Sequence, residues 1–209
     1  RFIAILNWGY AVTFYKKKKN SQEYSYLNKH SGKFNGNITD LCELDNNQYC
    51  ISLKFNDLIQ FLDMNSKKIT KTIQCERYFL TRETNQLLLM NKKDLFVIGQ
   101  SSVNIVDIQR KEIIKNIKVP SVGVRFIYFI HKLTDNFLLV GFWENLIEQL
   151  EYDKIKKEFK LISFTEKNYN RGSDLYVVSS ISTFNNELIV APYDNRFGKS
   201  SLIIYKLKK

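Results

Sequence analysis

Few side chains in this chain of 209 residues have both the type and the spacing for catalysis. Its two histidines are His30 and His131. A nucleophilic triad needs an imidazole beside a Ser or Cys and an acid behind it. His131 stands inside an apolar, strand-like run and reads as a buried or rim side chain. The three cysteines, Cys42, Cys50 and Cys75, fall short of the roughly four ligands of a structural zinc site. They read as small apolar filler, and an odd, sparse set points to a reducing, cytoplasmic setting. Asn37-Ile38-Thr39 fits a glycosylation acceptor, which has no consequence there. Gly198-Lys199-Ser200 has the last residues of a phosphate-cradling loop. However, Tyr193 stands where that loop needs a Gly, and a strand pattern follows instead of a helix. Glu148, Glu151 and Asp153 cluster as glycosidase carboxylates would, yet at strand spacing two of them point to opposite faces. No metal, no cofactor and no enzymatic activity are expected.

Binding chemistry is a different matter. The net charge is +11 and the pI about 9.4, a balance that suits acidic partners. Only Arg1, Arg77, Arg82, Arg110, Arg125, Arg171 and Arg196 are arginines; the other basic residues are lysines. Readers of phosphate and base edges favour the planar, bidentate guanidinium. The excess of Lys, together with abundant Asn, Ile, Tyr and Phe, fits a coding bias as well as it fits a ligand.

The elements that position these residues are short strands. β-Branched and aromatic runs alternate with clusters of Asn, Asp, Gly, Ser and Lys, and helical periodicity is nearly absent. No apolar run approaches the roughly 18 residues of a membrane-spanning helix. Arg1-Phe-Ile-Ala-Ile-Leu6 is too short for a secretory signal, and the chain reads as a fragment that starts in mid-strand. The stretch from Leu58 to Ile73 lies without a gap on Ser102 to Ile117. Asp63, Lys67, Ile69, Lys71 and Ile73 match Asp107, Lys111, Ile113, Lys115 and Ile117. A spacing of 44 residues is near the length of a β-propeller blade. Strands are expected at Phe2–Leu6, Ala11–Tyr15 and Tyr24–Leu27. They follow at Ile38–Leu44, Tyr49–Leu53, Leu58–Asp63 and Ile69–Ile73, then at Leu87–Met90, Leu95–Ile98, Val103–Ile108 and Ile113–Val119. A further unit runs Phe126–Leu133, Phe137–Gly141, Ile147–Tyr152 and Phe159–Phe164, and the last runs Tyr176–Thr183, Leu188–Ala191 and Ser201–Leu207. The fold expected is all-β, a partial β-propeller of about four to five four-stranded antiparallel blades. The approximate units are 1–30 (partial), 31–75, 76–119, 120–166 and 167–209 (partial). Such sheets cannot bury both faces alone but share cores when stacked.

The unit resembles a strongly diverged WD repeat. In that family the third strand ends in Trp-Asp, and here the pairs are Leu62-Asp63 and Val106-Asp107. Trp is missing from the dipeptide, no clear Gly-His opens a unit, and Asn56 and Gln100 stand where the family places an Asp after the second strand. The family's His-Asp-Ser-Trp network is therefore expected to be absent. The resemblance implies a propeller and a scaffolding habit, with protein partners of unknown identity.

An up-and-down blade sorts its loops onto two faces. Turns joining strands one–two and three–four share one face. There the three–four turns are basic: Lys16, Lys17, Lys18 and Lys19; Lys67 and Lys68; Arg110 and Lys111; Lys154, Lys156 and Lys157. An arc of that kind suits anionic lipid or nucleic acid, while Asp45, Asp94, Asp135 and Glu187 in the one–two turns oppose it. The other face gathers Trp8, Phe55, Trp143, Arg196 and Phe197 from two–three turns, and Arg77, Tyr78 and Arg171 from links between blades. Trp, Tyr and Arg anchor protein interfaces. The function expected is a non-catalytic protein-interaction scaffold; the alternative is anion binding through the basic arc.

Overall fold

The computed structural model describes residues 2–7, 11–18, 23–31, 37–45, 47–54, 57–76, 86–120, 127–142, 147–165, 176–184, 187–194, 199–200 and 203–206. All regular structure among them is strand, in five antiparallel sheets. The first sheet holds β1 (Phe2–Asn7), β2 (Ala11–Lys17) and β3 (Tyr24–Ser31). The second holds β4 (Asn37–Glu43), β5 (Gln48–Lys54), β6 (Leu58–Asp63) and β7 (Lys68–Gln74). The third holds β8 (Gln86–Leu89), β9 (Asp94–Ile98), β10 (Ser102–Asp107) and β11 (Glu112–Lys118). The fourth holds β12 (Ile127–Lys132), β13 (Phe137–Phe142), β14 (Ile147–Asp153) and β15 (Glu158–Thr165). In the last, β16 (Tyr176–Phe184) pairs with β17 (Glu187–Asp194), and both β18 (Lys199–Ser200) and β19 (Ile203–Lys206) pair with β17 as one interrupted third strand. Strand order within each sheet follows chain order, and the boundaries fall within a few residues of those read from the sequence. The first strands of successive sheets lie beside one another: β1 by β4, β4 by β8, β8 by β12, β12 by β16.

Alternation along the strands explains why the sheets stack. Successive side chains point to opposite faces. In β5, Tyr49, Ile51 and Leu53 pack with Val12 and Phe14 of the first sheet, while Cys50 packs towards the third. In β9, Leu95 and Val97 meet Ile59 and Phe61 of the second sheet. Its Phe96 and Ile98 meet Leu138, Val140 and Leu150 of the fourth. A strand apolar on both faces is therefore shared between two cores. Each such fully buried aliphatic side chain contributes about 1.5–3 kcal/mol.

Two recurring devices lock this arrangement. The first straps adjacent inner strands. Asp40 Oδ2 accepts the backbone N–H of Leu87 at 2.7 Å, and Gln86 Oε1 accepts that of Ile130 at 2.9 Å. The same inner-strand position in the fourth sheet is Phe129, whose ring occupies the space where a Cβ on Gly141 would stand. The second device is the three–four turn. Asp63 Oδ1 accepts from Asn65 N–H, Asp107 Oδ1 from Gln109 and Arg110 N–H, and Asp153 Oδ1 from Ile155 and Lys156 N–H, all at 2.8–3.0 Å. Four residues on, Lys67, Lys111 and Lys157 take φ of 56°, 54° and 55°. These are left-handed backbones, which cost an L-residue about 1–2 kcal/mol. Replacing the exposed Lys67 with Gly should therefore raise stability by about 1 kcal/mol, a shift of roughly 2–4 °C in Tm measured by thermal melting. The repeated Asp and Lys of the sequence are thus a turn signature.

Candidate functional site

The aromatic and arginine residues expected to form an interaction face, Trp8, Phe55, Arg77, Tyr78, Trp143, Arg171, Arg196 and Phe197, lie outside the described residues, as does Lys19. The described chemistry is on the face of the one–two and three–four turns. Lys16 and Lys17 fall in β2. Lys67, Lys68 and Lys156 are exposed. Several other members of the basic arc carry an acid of their own. Lys18 pairs with Glu23 at 2.7 Å, Arg110 with Glu112 at 3.5 Å, and Lys154 approaches Asp135 at 3.9 Å. Exposed pairs of this kind are worth little in stability, but they reduce the field that an anion would meet.

Lys157 and Asp94 behave differently, and the expectation that Asp94 is a surface acid is corrected. Its side chain is only 4% exposed, and Lys157 Nζ sits 2.5 Å from its Oδ2. Asn91 donates to the same oxygen at 2.9 Å, and the Tyr152 hydroxyl reaches it at 3.4 Å. Tyr152 in turn meets Phe96 edge-on at 4.8 Å between centroids, with Phe159 at 5.7 Å. Burial, with the nearby Asp94 charge, pushes the Tyr152 hydroxyl far above its ordinary range, so it stays a donor. Asp94 belongs to the third sheet while Tyr152 and Lys157 belong to the fourth, so the cluster is a polar and aromatic clasp between sheets.

Between the second and third sheets, on the same face, lies a cleft of about 380 Å³. Asp45 and Gln48 line it from the second sheet; Leu89, Lys92, Ile108, Gln109 and Lys111 line it from the third. Lys111 Nζ donates to Thr70 Oγ1 at 2.9 Å and stands 5.5 Å from the centre of the Phe61 ring. Sequence reasoning singled out Lys111 and Asp45 here, as turn charges. The remaining lining residues had no distinguishing type or spacing.

The residues considered for catalysis take ordinary places. His131 is half-buried in β12, and burial holds its pKa below 6.5, which favours the neutral ring. Glu148 is fully buried and Asp153 is spent on its turn. Lys199 and Ser200 form a strand. Among the described residues, no group of three or more His, Cys, Asp or Glu is arranged to hold a metal ion, and no helix is long and apolar enough to cross a membrane. Cys42 stands opposite Cys50 in the β4–β5 register, and all three thiols are free. Burial pushes Cys42 and Cys75 up to about 12 and holds Cys50 well above its ordinary value. Thiolates are therefore scarce near neutrality. Iodoacetamide at pH 8 should leave all three cysteines unmodified in the folded chain and alkylate all three in guanidinium, read by intact mass.

No family model matches the sequence, and no curated protein is similar to it in sequence. Solved structures are similar in fold. The β-propeller domain of Cps50 (Swd1) from Myceliophteria thermophila superposes with a TM-score of 0.64 at 13% identity, covering 100% of this chain and 71% of that one. U3-55K gives a TM-score of 0.68 at 10% identity, over 98% of this chain and 64% of that one. The C-terminal WD40 domain of Sif2 gives 0.60 at 13% identity, over 93% and 51%. The chain thus has a diverged WD-repeat-like propeller fold and spans between about half and 71% of the length of these structures.

Proposed function

We propose that this chain is a non-catalytic scaffold, part of a WD-repeat-like propeller that holds a protein partner through the loops gathering Trp8, Trp143 and Arg196. The observation that carries the reading is where the charged turn residues go. Asp63, Asp107 and Asp153 support turns, and Asp94 and Lys157 clasp two sheets together. These acids serve the framework, and the partner is assigned to the loops that bear Trp8, Trp143 and Arg196. Their Trp, Tyr and Arg content is the composition of interface anchors. A reducing, cytoplasmic setting accords with three free, protonated thiols. Anion binding by the basic arc is less favoured, because Lys18, Arg110 and Lys157 each carry a carboxylate partner.

The test is a pull-down from the native extract with the wild-type chain and with Trp143→Ala/Arg196→Ala, each checked for folding by circular dichroism. Loss of a reproducible set of partners in the variant is expected. Equal recovery by a folded variant would defeat the reading. Flotation with acidic liposomes and a gel shift under salt titration score the alternative: salt-sensitive binding at low ionic strength would favour it instead.

A further inference from the structure

The cleft between the second and third sheets has a counterpart one sheet further on, and there the chain fills it from within. Backbone bonds fix the correspondence. Leu44 N–H donates to the Gln48 carbonyl at 2.8 Å, and Met90 N–H to that of Asp94 at 3.0 Å, so Gln48 and Asp94 open equivalent strands. Ile108 N–H donates to the Lys93 carbonyl at 2.9 Å, and Tyr152 N–H to that of Asn136 at 2.7 Å, so Ile108 and Tyr152 end equivalent ladders. Lys111 and Lys157 share the left-handed position of the three–four turn. Asp94 and Tyr152 in one groove therefore become Gln48 and Ile108 in the other, while Lys157 and Lys111 correspond as turn residues only, since the β14–β15 hairpin runs two pairs further than β10–β11 before it turns.

In the first groove Asp94, Tyr152 and Lys157 bury a phenol ring, take its hydroxyl on a carboxylate, and hold an ammonium 5.8 Å from the ring centre. The second groove lacks the ring, and Gln48, Ile108 and Lys111 all line the open cleft.

We propose that this cleft accepts a tyrosine side chain carried by a partner protein. Leu89 and Ile108 offer the ring apolar contact. Gln48 and Asp45 offer acceptors to its hydroxyl, and Lys111, which lines the cleft, supplies a cation. An aromatic body with a polar tip satisfies such a mixed lining, where a purely apolar side chain leaves the amide and carboxylate unmet. The volume, about 380 Å³, sits at the small end of ligand pockets and has room for a tyrosine side chain. The cleft is built from residues other than Trp143 and Arg196 and shares with that reading only the class of partner, so either site can fail without the other.

The probe is N-acetyl-tyrosinamide, titrated into the whole chain carrying 13C-labelled Ile and Leu methyl groups. A saturable shift of the Ile108 and Leu89 methyl signals is expected. N-acetyl-phenylalaninamide should bind about fivefold more weakly, the worth of one net hydrogen bond. The plugged variant Gln48→Asp/Ile108→Tyr, which rebuilds the neighbouring pair, should lose the response and melt higher than wild type. Should that variant not fold, Asp45→Ala/Gln48→Ala, which removes both acceptors, must erase the preference for tyrosine over phenylalanine. Silent methyls up to the solubility limit, equal affinity for the two amides, or a wild-type response from the plugged variant overturns the proposal.

Discussion

Truncating Tyr152 to alanine is expected to cost about 3–5 kcal/mol of folding stability, the range for removing a large, fully buried aromatic side chain. Its residue exposure is 2%. The ring leans on Phe96 across the boundary between the third and fourth sheets, and Phe159 closes over both. Two losses combine in the variant: transfer free energy of the ring, and a cavity that close-packed strands cannot collapse. Asp94 also loses one of its donors, although Lys157 and Asn91 remain on it. Tyr152→Phe isolates that last effect and should cost no more than about 1 kcal/mol, since the hydroxyl contact is long at 3.4 Å and a net hydrogen bond is worth about that much. Equilibrium urea unfolding measures both. A loss under 1 kcal/mol for the alanine variant would mean that the sheets do not depend on each other at this point, and the stacked architecture would need another explanation.

Much of this framework was legible because the physics is local or periodic. A 44-residue spacing between Asp63 and Asp107 marks two copies of one turn, and the turn needs an Asp to take its N–H groups. Apolar runs such as Leu95–Ile98 read as strands, and the structure buries this one on both faces, in two cores. Contacts between sheets were not legible. Asp40 and Gln86 do the same work with different side chains, so no residue type recurs to advertise the strap. Asp94 sat in a run of turn residues and read as surface charge; its partner Lys157 lies 63 positions away. The cleft escaped for a related reason, since its character comes from what Ile108 lacks beside Tyr152, and a missing ring leaves no motif.

Asp40 yields the second large effect. Both of its oxygens accept backbone N–H groups, Oδ1 from Leu41 at 2.8 Å and Oδ2 from Leu87 at 2.7 Å. Asp40→Leu leaves the Leu87 N–H unpaired between two sheets, and losing a charged acceptor there should cost about 2–3 kcal/mol, or roughly 4–12 °C in Tm. Asp40→Asn retains an acceptor oxygen and should cost far less. The pH dependence separates bonding from charge. Burial raises the Asp40 pKa above 3.8, against the two backbone hydrogen bonds that pull it down. A folded pKa above the unfolded one means the contribution is fully present below 3.8 and is lost as pH rises through the folded value. Asp63, Asp135 and Asp153 run the other way. Hydrogen bonds from Asn65, Lys132 and Lys156, the largest cause in each, hold their carboxyls below 3.8. Their stabilisation is present above 3.8 and is lost as pH falls through the folded values. Wild type and Asp40→Asn should thus share an acid decline below about pH 4, while the Tm of the Asn variant gains on wild type as pH rises from 4 to 7. Thermal melts across that range decide it. A Tm difference independent of pH, or an Asp40→Leu variant as stable as wild type, would show that this carboxylate neither suffers from burial nor joins the sheets.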